Sequence, residues 1–113
     1  MKPRDPSYLL DMLVAARRIL KFVGSSDPRR LATDDLLHSA VCRQLQIIGD
    51  AARRISDETR STNPQIEWQQ IIGMRNILVH AYDSVDGNEL RRVVTVDVPR
   101  LVGELEKLLR NAP

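Results

Sequence analysis

The most informative segment of this sequence reads Met74-Arg75-Asn76-Ile77-Leu78-Val79-His80-Ala81-Tyr82-Asp83-Ser84-Val85-Asp86. Arg75 is the only basic residue between Arg60 and Arg91, and His80 is one of two histidines in the chain. An arginine carries a permanent planar charge that can grip a phosphate, and a histidine exchanges protons near neutral pH. Together these side chains suit phosphodiester chemistry.

Helical spacing limits how these side chains can meet. Positions five apart differ by roughly 140° around an α-helix, so Arg75 and His80 do not share a face. Asn76 and His80, four apart, do share one, so the Asn76 amide can orient the imidazole or contact the same phosphate. Convergence of Arg75 then requires a side chain that wraps round the helix, a helix that ends near His80, or a second copy of the motif across a dimer axis. We expect the last two together.

No other pattern of reactive residues competes with this segment. The sequence has no Gly-rich phosphate loop, no serine or cysteine nucleophile signature and no Cys/His metal spacing. We therefore expect neither a metal site nor a cofactor.

The pattern Arg75-Asn76-x-x-x-His80-x-Tyr82 resembles the R-x(4–6)-H motif of the HEPN ribonuclease superfamily. The trailing x-Tyr is the extended form that marks its HepT-like toxin branch. Further segments agree in the same order over nearly the whole chain: Arg4-Asp5, Tyr8-Leu9-Leu10-Asp11, Gln46-Ile47-Ile48-Gly49-Asp50-Ala51-Ala52, Asn63-Pro64, Trp68 and Ile71-Ile72-Gly73. One departure is Asp50, where the family often has Glu; the acid is kept but its reach is shorter.

The resemblance implies a HEPN-like helical homodimer that acts as a metal-independent endoribonuclease toxin on transfer or messenger RNA. In that mechanism His80 acts as general base or acid on the 2′-hydroxyl or the leaving 5′-oxygen, and the product is a cyclic phosphate. Arg75 stabilises charge on the phosphorane, and Asn76 positions one or the other. The implied partner is an MntA-like minimal nucleotidyltransferase antitoxin, which silences such toxins by transferring AMP to the tyrosine that Tyr82 matches.

Three alternatives stay open at this point. The chain could be a non-catalytic helical module that docks a nucleotidyltransferase or holds RNA without cutting it. Tyr82 could be a core-edge residue with a buried ring and a solvated hydroxyl. Asp50 could be a solvated flank residue, or it could bond a partner around the motif.

Composition predicts one domain over residues 1–113, with an ordinary hydrophobic fraction of 42%. Fourteen of the seventeen basic residues are arginines, several in pairs, which fits phosphate contacts along RNA. For any single pair, arginine-biased codon usage with solvated helix faces is the slightly better explanation. No apolar run approaches the roughly 20 residues that span a bilayer. The lone Cys42 excludes an internal disulfide. We expect a cytoplasmic protein without a membrane segment.

The hydrophobic periodicity predicts an all-α bundle of about five helices. The first is capped by Ser7 and ends at Gly24. The second is capped by Thr33, Asp34 or Asp35 and carries an apolar stripe to Ile55, and Ser56–Pro64 then breaks the pattern. The other three begin near Trp68, Asp86 and Asp97; the fourth runs through Val94 and the fifth to about Arg110. The β-branched run Val93–Val96 is not expected to be a strand, because it has nothing to pair with.

Several single residues carry predictions of their own. Trp68 should anchor the third helix by burying its ring while its indole N–H finds a partner. Arg75 and His80 should project off the apolar face of that helix. Gly73 suggests that another backbone approaches closely there. Cys42 should be buried, and His38 should lie at the surface.

Overall fold

All regular structure in the computed structural model, which describes residues 1–81 and 85–111, is helical. Six α-helices are present in these residues: α1 (Asp5–Val23), α2 (Asp35–Arg54), α3 (Asp57–Thr62), α4 (Trp68–His80), α5 (Gly87–Arg92) and α6 (Val98–Arg110). A 3₁₀ helix (Pro28–Ala32) precedes α2, and a π-helical turn (Val93–Asp97) joins α5 to α6. Because α5, the π turn and α6 form one continuous segment, the chain folds as five helical units. The all-α prediction is confirmed.

The core lies where α1 packs against α2 and α6, and α4 packs mainly on α2. The predicted stripe on α2 is buried, from Leu37 through Val41, Ile48 and Ala52. Cys42 is buried in the same helix, as predicted, and burial raises the pKa of its thiol to about 11. Because α2 is the main neighbour of α4, one flank and the outer face of α4 remain exposed to solvent.

The start of α1 differs from the prediction that Ser7 caps it. The helix begins at Asp5, whose buried carboxylate accepts hydrogen bonds from the Lys2 and Ser56 N–H groups and from the Ser56 and Thr59 hydroxyls, at 2.6–3.0 Å. Burial raises the pKa of Asp5, but these hydrogen bonds outweigh it and lower the pKa to about 2. Ser7 is an exposed residue of the first turn.

The polar stretch Ser56–Pro64 breaks the apolar pattern as predicted, yet it contains the short helix α3. Ser56 caps this helix by accepting a hydrogen bond from the Thr59 N–H group. Both residues also bind Asp5, so polar contacts hold α3 against the start of α1. Other predictions about helix ends agree with the structure. Asp34 caps α2 and Asp86 caps α5. The Trp68 indole N–H donates to the Asn63 carbonyl at 3.0 Å, as the predicted anchor of its helix.

The predicted fourth and fifth helices are joined without a break. Pro99 has no N–H group, and its ring would clash with the carbonyl of Thr95 in a regular helix. The π turn relieves this conflict, because the Val98 N–H donates to the Val93 carbonyl, five residues back. Pro99 therefore lies where the first turn of the fifth helix was predicted, but inside a longer helical segment.

The prediction of a close backbone approach at Gly73 is wrong. A Cβ built there has no described atom within 4 Å apart from its chain neighbours and the backbone of its own helix. The close approach occurs at Gly49 on α2 instead, where a Cβ would stand 2.1 Å from the Arg75 Cβ and 3.3 Å from the Ile71 carbonyl oxygen. The absence of a side chain at Gly49 lets α4 lie directly on α2.

Candidate functional site

Arg75 lies inside the contact between α4 and α2, not off the apolar face as predicted. Its Cβ and Cγ pass over Gly49, and the side chain is 20% exposed. Its Nε donates to the Asp50 carboxylate at 2.6 Å. Of the two roles considered for Asp50, the structure shows the one in which it bonds a partner within the motif.

The Arg75 guanidinium also contacts the next residue of α4. Its Nη1 donates to the Asn76 amide oxygen at 3.0 Å. With two of the five N–H donors of the arginine used in this way, the others remain for a phosphate. Asn76 is exposed, and its amide nitrogen makes no hydrogen bond to a described residue. This nitrogen is therefore a second available donor beside the guanidinium.

His80 is the last residue of α4, in agreement with the prediction that the helix ends near it. It is exposed and forms no side-chain hydrogen bond within residues 1–81 and 85–111. By helix geometry its side chain leaves α4 roughly 140° from that of Arg75, on the side away from α2. Among the described residues, Arg75 is therefore held by side-chain contacts and His80 is not.

A polar row on α2 faces α4 and the residues after it. Its members recur every fourth position: His38, Cys42, Gln46 and Asp50. Gln46 Nε2 donates to the Leu78 carbonyl at 3.4 Å, and His38 Nε2 lies 3.3 Å from the Val85 carbonyl. Because His38 is half-buried and reaches Val85, the prediction of a surface role for His38 is wrong. The row binds this part of the chain at three points: Arg75, Leu78 and Val85.

A groove between α1 and α2 opens next to the Arg75–Asp50 pair. Its lining includes Asp50 together with the apolar residues Leu10, Val14 and Ile47. Leu10 and Val14 are 50% and 39% exposed. Gln44 lines the same groove, and its buried amide oxygen has no hydrogen-bond partner among the described residues. The groove therefore combines exposed apolar side chains with the charged residues Asp11, Arg18, Asp50 and Arg54, and it adjoins the motif.

The positive charge of Arg75 is balanced by Asp50, but two more arginines lie near this pair on α2. Arg43 and Arg54 are both exposed, and neither forms an ion pair with a described residue.

In the part of the chain that the structure describes, no group of three or more His, Cys, Asp and Glu side chains could hold a metal ion. No described helix is long and apolar enough to cross a membrane.

The structure brings together Arg75, Asn76 and Asp50 of the predicted site and leaves His80 apart from them. Tyr82, the expected acceptor of AMP, lies outside the described residues. The contacts of Gly49 and Gln46 were not foreseen. The fourfold spacing of polar residues on α2 could have indicated Gln46, but nothing local to Gly49 shows which helix passes over it.

Comparisons with known proteins give a consistent result. The family profile described as "Ribonuclease HepT-like" matches residues 12–108. A protein of Methanocaldococcus jannaschii named "Putative RNase" is 35% identical over 107 residues, 94% of this chain and 98% of the relative. "Probable ribonuclease HepT" of Thermococcus cleftensis is 35% identical over 108 residues, 96% of this chain and 98% of the relative. A "Putative RNase" of Caldanaerobacter subterraneus is 27% identical over 111 residues, with 98% of each chain covered. No solved structure gives a significant match.

Proposed function

Because the chain belongs to the ribonuclease HepT-like family, we propose that it is a metal-independent endoribonuclease whose site is built from Arg75, Asn76 and His80. The observation that carries this proposal is the ion pair of Arg75 with Asp50, which fixes a guanidinium and the neighbouring Asn76 amide on the helix that ends in the exposed imidazole of His80. RNA cleavage requires stabilisation of charge on the phosphate and transfer of protons to or from its oxygens, and these side chains are suited to both tasks.

RNA supplies its own nucleophile in this mechanism. A general base removes the proton of the 2′-hydroxyl, and its oxygen attacks the adjacent phosphorus. The P–O5′ bond breaks, and a general acid protonates the leaving 5′-oxygen, so the products are a 2′,3′-cyclic phosphate and a 5′-hydroxyl. His80 serves as base or acid. The free N–H groups of Arg75 and the Asn76 amide stabilise the charge on the phosphorane oxygens.

The site is completed in a homodimer. Arg75 and His80 leave α4 on different sides, so one protomer does not bring them together without distortion. The groove face with Leu10, Val14 and Ile47 adjoins Asp50 and offers exposed apolar surface for a two-fold contact. In this arrangement the His80 of one protomer approaches the Arg75 of the other. A donor from the second protomer would also satisfy the buried amide oxygen of Gln44.

Expression of the chain alone tests the proposed activity. The unaltered chain should arrest growth and cut RNA in the presence of excess EDTA, with cyclic phosphate ends on the products. His80→Ala should do neither while keeping the helical content of the unaltered chain, because His80 is exposed. Growth arrest by His80→Ala without RNA cleavage would favour the non-catalytic binding module.

We further propose that the chain is the toxin of a toxin–antitoxin pair and that a minimal nucleotidyltransferase silences it by transferring AMP to Tyr82. Each AMP adds a phosphate charge and a base two residues from His80, so it repels and blocks the substrate. Co-expression with the partner should add AMP mass to the peptide that contains Tyr82. Tyr82→Phe should remain toxic but resist silencing. If the partner's catalytic activity still neutralises Tyr82→Phe, the modified residue lies elsewhere.

A further inference from the structure

The motif alone offers little net positive charge to an RNA backbone. Arg75 is paired with Asp50 through a contact of 2.6 Å, so an approaching phosphate meets an ion pair rather than an isolated cation. Contacts to phosphates supply much of the affinity between proteins and nucleic acids. Additional cations near the motif are therefore needed for substrate binding.

Arg43 is placed to supply such a cation. It precedes Asp50 by seven residues on α2, so the two side chains leave the helix within roughly 20° of each other and about 10 Å apart along the axis. Arg43 is exposed and has no ion pair with any described residue. Its one hydrogen bond among these residues runs from Nη1 to the Gln46 amide oxygen at 3.4 Å, which leaves the rest of the guanidinium open to solvent.

Gln46 connects Arg43 to the end of α4. The amide that accepts from Arg43 also donates through Nε2 to the Leu78 carbonyl at 3.4 Å. Leu78 lies two residues before His80, in the last turn, where carbonyl groups have no partner within the helix. One side-chain amide therefore holds the guanidinium of Arg43 beside the turn that carries His80.

We propose that Arg43 is a phosphate-binding residue of the RNA site and that Gln46 positions it next to the motif; this inference rests on the proposed ribonuclease function. Arg43 contacts a substrate phosphate that flanks the one bound at Arg75. Its contribution is to substrate binding, whereas Arg75 and His80 act on the phosphate that is cleaved.

The test compares Arg43→Gln with Arg110→Gln, which removes the same charge from the exposed last residue of α6. Binding is measured with a pool of random-sequence single-stranded oligoribonucleotides in the His80→Ala background, which prevents cleavage. Arg43→Gln should weaken binding and lower the slope of log affinity against log salt by about 0.7, the value for one phosphate contact on a single strand. In the cleaving enzyme it should raise KM more than it lowers kcat. Arg110→Gln should change none of these quantities.

Gln46→Met tests the positioning role, because methionine has similar length but neither donates nor accepts strongly. It should weaken RNA binding less than Arg43→Gln, and the double variant should bind no more weakly than Arg43→Gln alone. Equal KM and salt slopes for Arg43→Gln and Arg110→Gln, in a chain that cuts RNA, would overturn the inference and leave the ribonuclease function intact. A chain that neither binds nor cuts RNA would overturn both.

Discussion

The two ends of the motif on α4 differ in how firmly they are held. Arg75 is 20% exposed, packs over Gly49 and is bonded to Asp50 and Asn76. His80, at the end of the same helix, is exposed and has no side-chain hydrogen bond to a described residue. The difference fits two tasks: a group that stabilises charge works best when preorganised, whereas a group that transfers protons must meet the substrate.

Removing the held cation should give the largest effect on the reaction. We expect Arg75→Ala to lower kcat by about 100- to 1000-fold, the loss seen when one preorganised donor to a developing anion is removed. Arg75→Lys should recover only part of this activity, since a lysine cannot bond Asp50 and Asn76 while facing a phosphate. Steady-state cleavage of labelled RNA measures both variants. Full activity of Arg75→Ala would show that the held arginine serves the fold alone.

Two glycines test whether the position of Arg75 depends on the close helix contact. Gly49→Ala places a methyl group against the Arg75 side chain, so it should destabilise the fold by about 1–3 kcal/mol and reduce RNA cleavage. Gly73→Ala adds the same group on α4 where nothing lies within 4 Å, and it should stabilise the helix by up to about 1 kcal/mol. Urea unfolding measures both changes. If Gly49→Ala is as stable and active as the unaltered chain, Arg75 does not need this contact.

Two hydrogen-bonded aspartates, one buried and one exposed, offer a second comparison. Hydrogen bonds lower the pKa of buried Asp5 to about 2 against the burial that raises it, and a hydrogen bond from exposed Arg29 lowers that of Asp27 to the same value. A lowered pKa stabilises the folded state above the unfolded pKa, and the contribution is lost as the pH falls. Between about pH 4 and pH 2 the chain should therefore lose about 2 kcal/mol of stability through Asp5.

Unfolding experiments across this pH range check the assignment. Asp5→Asn should be less stable at neutral pH and should lack this part of the acid sensitivity. Asp27→Asn is the matched control: the ion pair of Asp27 with Arg29 is exposed to solvent and contributes little to stability, so this variant should behave nearly like the unaltered chain. Unchanged acid sensitivity in Asp5→Asn would mean that another group is responsible.

The sequence predicted those parts of the fold that follow from local pattern. The apolar stripe on α2, the caps at Asp34 and Asp86 and the helix end at His80 all follow from spacing and residue type. The helix α3 was missed because polar bonds to Asp5, remote in sequence, replace an apolar stripe. The continuous α5–α6 segment was missed because Pro99 normally marks a first turn, and only the structure shows the π turn that accommodates it.

The candidate site divides in the same way. Residue types predicted which side chains could act on a phosphate, and the family resemblance predicted their roles. Which partner holds Arg75, and which glycine admits it, depends on the packing of α4 on α2. For this reason the sequence left two interpretations of Asp50 open. It also predicted the close approach between helices at Gly73, whereas the structure shows it at Gly49.

The most direct test of a site shared between a held Arg75 and an exposed His80 is a mixing experiment. Arg75→Ala and His80→Ala, each strongly impaired alone, are unfolded together, refolded and assayed for RNA cleavage. If Arg75 of one protomer works with His80 of the other, a mixed dimer contains one intact site, and activity should return well above that of either variant. If mixed dimers form and no activity returns, the two residues do not act across a two-fold axis, and the shared site is contradicted.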